Sequence, residues 1–159
     1  MENLVVSDSS PLIALLNIKK FELLQKIFST IIIPPQVMSE IEEGINSGSE
    51  WFGYKQQGFI VVQTLEDDTR LLLLNLQLDP GESEAILLAD QLKLPLLIDE
   101  KAGRKIAKDF GLQVRGLVGV LYSLRQHKEI SPIEMIAIVN ALEQVSFRLN
   151  NSLKSLLLD

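Results

Sequence analysis

Three short apolar runs, Leu4-Val5-Val6, Ile31-Ile32-Ile33 and Leu94-Pro95-Leu96-Leu97-Ile98, most constrain what this chain can fold into. Each is too short for a buried helix, and each reads as a strand covered on both faces. The residues between them keep helical spacing. Ser10-Pro11 reads as an N-cap followed by proline at the first helical position, opening a helix over Leu12–Asn17. Phe21, Leu24, Ile27 and Phe28 continue that periodicity, and Pro35 starts a helix that Gly44 ends. Phe59–Gln63 reads as a further strand and Thr69–Leu76 as a leucine-rich helix. Asp79-Pro80-Gly81 reads as a turn, and a helix follows from Gly81 or Glu82 to Leu92. After Leu94–Ile98 come a basic helix from Lys101 to Phe110, a short strand at Gln113–Arg115, and helices over Leu117–Gln126 and Pro132–Leu149. Strands alternating with helices imply an α/β fold, with a mainly parallel sheet of about four to five strands between helical layers. Chain order does not give strand order. Trp51, Phe52 and Tyr54, in a glycine-loosened stretch, are assigned to the core, because a small domain needs its aromatics inside.

Length and composition narrow the function. The 159 residues suit one domain, and a mean hydropathy of +0.20 argues against disorder. No apolar run approaches the roughly 20 residues that span a bilayer, and Met1-Glu2-Asn3 lacks the basic flank of a signal peptide. A cytoplasmic protein with no membrane partner is the expectation. Cysteine is absent and His127 is the single histidine, which excludes disulfides, thiol nucleophiles and Cys/His zinc sites. His127 lies in a polar stretch and reads as a surface residue or helix-end cation. Chemistry, if present, rests on carboxylates and a bound metal. A net charge of −6 argues against general coating of nucleic acid, leaves a nuclease open, and suits a basic protein partner.

Four acidic contexts, five residues in all, stand where such chemistry needs them. Asp8 and Asp99 each follow a strand, Glu40 lies on the helix after Ile31–Ile33, and Glu82 and Glu84 occupy a helical first turn. Each also has a plain structural explanation: Asp8 and Asp99 as helix caps, Glu82 and Glu84 as complements to the helix dipole, Glu40 on a solvated face. In a parallel sheet, strand ends and the helix starts that follow them share one rim, so Asp8, Asp99 and the Glu82/Glu84 pair can meet there. No glycine-rich phosphate cradle is present, and Asp8-Ser9-Ser10 lacks the second aspartate of a D-x-D phosphohydrolase.

The ordered segments Val6-Ser7-Asp8-Ser9-Ser10-Pro11-Leu12-Ile13, Val37-Met38-Ser39-Glu40-Ile41, Gly81-Glu82-Ser83-Glu84-Ala85-Ile86 and Leu97-Ile98-Asp99-Glu100-Lys101-Ala102-Gly103-Arg104 resemble PIN-domain proteins, in particular the prokaryotic DUF3368 branch related to VapC-type toxins. Gly116-Leu117-Val118-Gly119 is similar to a late glycine-containing segment of that branch. The resemblance implies a three-layer α/β/α fold over residues 1–148, with 149–159 as a C-terminal helical segment packing on the domain or on a partner. It further implies a metal-dependent endoribonuclease that cleaves single-stranded RNA with Mg2+ or Mn2+. Asp8, Glu40, Glu84 and Asp99 match the four family acids, Glu82 standing as the alternative to Glu84 among the metal ligands. Lys101 and Arg104 are the candidate phosphate contacts. Two departures are Glu100, where the branch often has a second aspartate, and Glu84, where many VapC proteins have Asp. The resemblance also suggests a toxin paired with a small basic antitoxin, and a homodimer; the alternative is a catalytically weak interaction module. Leu153, Leu156 and Leu157 form an apolar stripe that can serve the domain itself, a dimer or an antitoxin.

Overall fold

The computed structural model describes residues 3–159. Five parallel strands form one sheet: β1 (Leu4–Ser7), β2 (Thr30–Ile33), β3 (Ile60–Val62), β4 (Leu96–Leu97) and β5 (Val114–Arg115), in the order β3-β2-β1-β4-β5. The register pairs Leu4 with Thr30, Ser7 with Leu97, and Leu97 with Arg115. The chain therefore builds outward from β1 through β2 to β3, then returns to the other side of β1 for β4 and β5. The reversal falls between β1 and β4, where open α/β sheets bind ligands beyond the carboxyl ends of the strands.

Nine α-helices are present among the described residues: α1 (Ser9–Asn17), α2 (Pro35–Gly44), α3 (Gly48–Gln56), α4 (Arg70–Asn75), α5 (Pro80–Leu92), α6 (Lys101–Asp109), α7 (Leu117–Gln126), α8 (Pro132–Gln144) and α9 (Asn151–Leu158). Phe21–Lys26 forms a 3₁₀ helix. The helices cover both sides of the sheet, giving the α/β/α sandwich expected from the alternating pattern. Val5, Val6, Ile31, Ile33, Leu96 and Leu97 are fully enclosed, as continuous apolar strands require. α9 packs against α7 and α8, burying Leu157 while Leu156 and Leu158 stay exposed.

Several local expectations are corrected. The N-cap of α1 is Asp8, with Ser9 and Ser10 inside the helix, because β1 passes into α1 without an intervening loop. The helix from Pro132 stops at Gln144 rather than Leu149; Ser146 adopts φ 64°, and this left-handed turn redirects the chain before α9. Asp79-Pro80-Gly81 is the start of α5 rather than a free turn. The aromatics divide: Trp51 is buried, packed edge-on to Phe21, Tyr54 is half-buried, and Phe52 lies on the outer face of α3 and is exposed. Trp51 also donates its indole N–H to Glu42 Oε2 at 3.1 Å. Trp51→Ala is expected to destabilise the fold by about 3–5 kcal/mol, read as a lower denaturant midpoint.

Candidate metal centre

The site begins with the way β1 becomes α1. Asp8 donates its backbone N–H to Leu97 O at 2.9 Å, which stitches the end of β1 to β4. This holds the Asp8 carboxylate at the sheet's carboxyl edge, 2 % exposed. α2 brings Glu40 beside it. The Ser9 hydroxyl donates to Glu40 Oε1 at 2.8 Å, and Gln36 Nε2 donates to Oε2 at 3.4 Å. α5 supplies the third side through a capping box. Asp79 Oδ1 accepts from Glu82 N at 2.8 Å, and Glu82 Oε1 accepts from Asp79 N at 3.4 Å. Carboxylate oxygens of Asp8, Glu40 and Asp79 all lie within 4.8 Å of one another.

Three buried carboxylate oxygens have no hydrogen-bond partner: Asp8 Oδ1, Glu82 Oε2 and Asp99 Oδ2. Buried polar atoms are nearly always partnered, so three such orphans at one rim require an explanation. In Glu82 and Asp99 one oxygen is held by the protein and the other left free. Asp99 Oδ1 accepts from Leu117 N, the first residue of α7, at 2.9 Å. Arg104 donates to Ile98 O at 2.9 Å, which brings its guanidinium alongside Asp99.

The electrostatics follow from this enclosure. Burial pushes Asp8 well above the usual carboxylate range, with Glu82, Asp79 and Glu40 adding repulsion and a backbone hydrogen bond at Ser9 opposing it. Glu82 is pushed up to about 7, first by burial and then by Asp79. Asp99 is pushed up to about 6 by burial, against the pull of the Leu117 N–H and the Arg104 charge. Clustered acids that resist ionisation are relieved by a hard cation with oxygen ligands. The all-oxygen donor set and the free oxygens fit Mg2+ or Mn2+ in chemical type.

Glycines leave room for these groups. A Cβ at Gly81 would overlap the Glu40 carboxylate, and one at Gly103 would lie 2.7 Å from both Glu82 Oε2 and Ile98 Cδ1. Gly116 is crowded in the same way by Arg104 Nη1 at 2.7 Å and Asp99 Oδ1 at 3.0 Å. Gly103→Ala is expected to displace Glu82. The change should destabilise the fold by about 1–3 kcal/mol, read by thermal melting, and weaken divalent-cation binding, read by calorimetry.

Asp8, Glu40 and Asp79 are thus brought together, Glu82 is near enough to Asp8 to repel it, and Asp99 stands on the neighbouring strand end. Glu84 faces elsewhere. It accepts from Gln36 N at 3.3 Å and lines a separate groove with Pro35, Leu71 and Leu87. Burial raises its pKa, and Glu40 adds repulsion. Glu100 is exposed at the N-cap of α6, and Lys101 is exposed in the first turn. Asp79 was not among the residues singled out from the sequence. Its signal is the Asp79-Pro80-Gly81-Glu82 pattern, an N-cap acid with proline at N1 and Glu at N3.

A doubly wound parallel sheet with an acidic cluster at its topological switch point defines an α/β/α domain with a candidate cation site. Comparison with known proteins specifies it further. Residues 4–159 match the DUF3368 family of PIN domains, and the chain belongs to that family. PIN domains are typically metal-dependent nucleases. Among solved structures, the chain is similar to a PilT N-terminus domain protein from the hyperthermophilic archaeon Sulfolobus solfataricus P2, at 21 % identity and a TM-score of 0.53. That likeness covers 76 % of this chain and 92 % of the other, and it supports the fold. No curated protein matches. No helix among the described residues is long and apolar enough to cross a membrane.

Proposed function

We propose that this protein is a Mg2+- or Mn2+-dependent endoribonuclease that hydrolyses phosphodiesters of single-stranded RNA. The observation that carries the reading is the set of three buried, unpartnered oxygens on Asp8, Glu82 and Asp99, with Asp8 clustered against Glu40 and Asp79. Asp8, Glu40, Glu82 and Asp99 would hold the metal, with Asp79 orienting Glu82 and available as a further oxygen ligand. When bound, a divalent cation acidifies a water for attack at phosphorus and neutralises the charge that develops there. The protein's own contribution is to fix the ligands in advance. Ser9 orients Glu40, the Asp79 N–H holds one oxygen of Glu82, and the α7 N-terminus holds one oxygen of Asp99. Glu82 replaces Glu84 as the third acid in this reading, because its free oxygen is buried in the cluster while Glu84 is bonded to the start of α2. Arg104 beside Asp99 and Lys101 on α6 are the cations available to substrate phosphates.

The cellular role we propose is the toxin of a toxin–antitoxin pair in the cytoplasm, held by a small basic antitoxin that complements the chain's net charge of −6. One observation favours a second reading, an interaction module of low activity. Leu72, Leu73 and Leu76 expose most of their side chains on and just after α4, a larger apolar patch than a solitary surface needs. The same patch suits a homodimer. Purified protein with mixed RNA and Mn2+ or Mg2+ separates the two readings. Cleavage that disappears with chelator and in Asp8→Asn and Asp99→Asn supports the nuclease. An intact fold with neither cleavage nor calorimetric metal binding leaves the interaction module.

A further inference from the structure

A groove of ≈ 580 Å³ lies between α1 and the turn joining α8 to α9, with Asp99 and Glu100 among its lining. Ser9 and Ser10 line it from α1, and Ser146, Phe147 and Arg148 line it from the turn. The volume falls within the range of small-ligand pockets and has room for one unstacked base with its sugar. Phe147 packs partly against the core while facing the groove, so its ring is held rather than free. The left-handed Ser146 and the hydrogen bond from Phe147 N to Leu142 O at 3.0 Å fix the backbone that presents it. Arg148 is exposed and joins no ion pair among the described residues. Ser10 is half-buried and makes no side-chain hydrogen bond among them.

An anchored aromatic face, an uncommitted guanidinium and a free hydroxyl beside a candidate metal ligand are the parts of a single-strand binding site. Stacking is tolerant of sequence because every base has a π-face, and arginine follows the backbone phosphate. We propose that this groove receives the nucleotide next to the scissile phosphate, with its base stacked on Phe147 and its phosphate paired with Arg148. The proposal rests on the nuclease reading for its substrate class and supplies what that reading lacks, a basis for preferring single strands. It places substrate contacts on the α8–α9 turn, outside the acidic cluster.

The test uses a fluorescein-labelled single-stranded oligouridylate and its duplex form. Anisotropy is read in Ca2+ and cleavage in Mn2+, for the unaltered chain, Phe147→Leu, Phe147→Trp, Arg148→Gln and the distant control Phe52→Leu. Thermal melting verifies folding, and Arg148, being exposed, provides a variant whose loss cannot unfold the core. Expected are single-strand binding weakened about tenfold in Phe147→Leu, KM raised in parallel with kcat retained, recovery in Phe147→Trp, weaker binding in Arg148→Gln, and no change in Phe52→Leu. Binding and cleavage that are normal in both Phe147→Leu and Arg148→Gln overturn the groove and leave the nuclease reading standing. Groove-dependent binding without any cleavage keeps the groove and removes the nuclease. An unaltered chain that binds no single strand overturns the groove, with cleavage alone then deciding the nuclease reading.

Discussion

Asp8→Asn protein is expected to be inactive, indifferent to Mn2+, and more heat-stable than the unaltered chain in chelator. The opposed signs come from one cause. Asp8 is held in the sheet edge by its own backbone bond to β4, burial opposes ionisation of its carboxylate, and repulsion from Glu82, Asp79 and Glu40 adds to that cost. Removing that charge relieves the metal-free fold, read as a higher melting temperature in chelator. In the proposed metal site the same change also removes a ligand. Cleavage should then fall by more than about 100-fold, above the range that loss of an outer-shell partner produces. Glu82→Gln should repeat the pattern, whereas Glu84→Gln should keep most activity and gain little stability, since Glu84 is bonded to Gln36 N. Melting curves with and without Mn2+, beside an RNA cleavage assay, give all the readouts. If Glu84→Gln is inactive while Glu82→Gln cleaves normally, the assignment of the third acid is reversed.

The second expectation concerns pH. Asp8, Glu82 and Asp99 have folded-state pKa values raised above those of an unfolded chain, to about 7 for Glu82 and about 6 for Asp99. Between about pH 4 and 7 Glu82 and Asp99 make the folded protein bind more protons than the unfolded one, so stability falls as pH rises through that window, and Asp8 acts in the same direction. Metal-free protein should therefore melt at a higher temperature at pH 5 than at pH 8. Glu42, whose pKa is lowered mainly by its bond from Lys55, and Asp68, lowered to about 2 by Arg70, lose their contributions only at more acidic pH. They leave the window untouched. Divalent cation should reverse the trend, because it binds the ionised carboxylates and competes with protons. At a free concentration 100 times its dissociation constant it adds about 2.7 kcal/mol, expressed at pH 8 and suppressed at pH 5. A metal-free melting temperature that rises steadily from pH 5 to pH 8 would contradict the buried-acid account.

The strand-end aspartates were legible because each ends an apolar run, and a buried strand entering a helix leaves little freedom in where its last residue points. The doubly wound class was legible for the same reason. The strand order was not, since β1 pairs with both β2 and β4 and nothing in their shared apolar pattern ranks the neighbours. The choice between Glu82 and Glu84 turned on something periodicity does not carry. Two positions apart on a helix, they face roughly 200° apart; the capping box with Asp79 fixes which of them turns inward. That box is written in Asp79-Pro80-Gly81-Glu82, but the Pro-Gly pair reads more readily as a turn. α8 is shorter than its sequence suggests because Phe147 and Leu149 continue the apolar pattern past Ser146, and Ser146 is an uncommon residue for a left-handed turn.

The central position of β1 bears on how the protein is born. Its partner β4 is among the last strands made, and Ser7 waits for Leu97 before the edge that carries Asp8 is closed. A nascent chain that has released only β1 to β3 has Asp8 and Glu40 but neither Glu82 nor Asp99, and the α7 amide that orients Asp99 emerges later still. Pairings this distant in sequence form late in folding. A ribosome translating this message therefore carries no complete acidic cluster until most of the domain is out, and prematurely terminated fragments ending before α5 lack both Glu82 and Asp99.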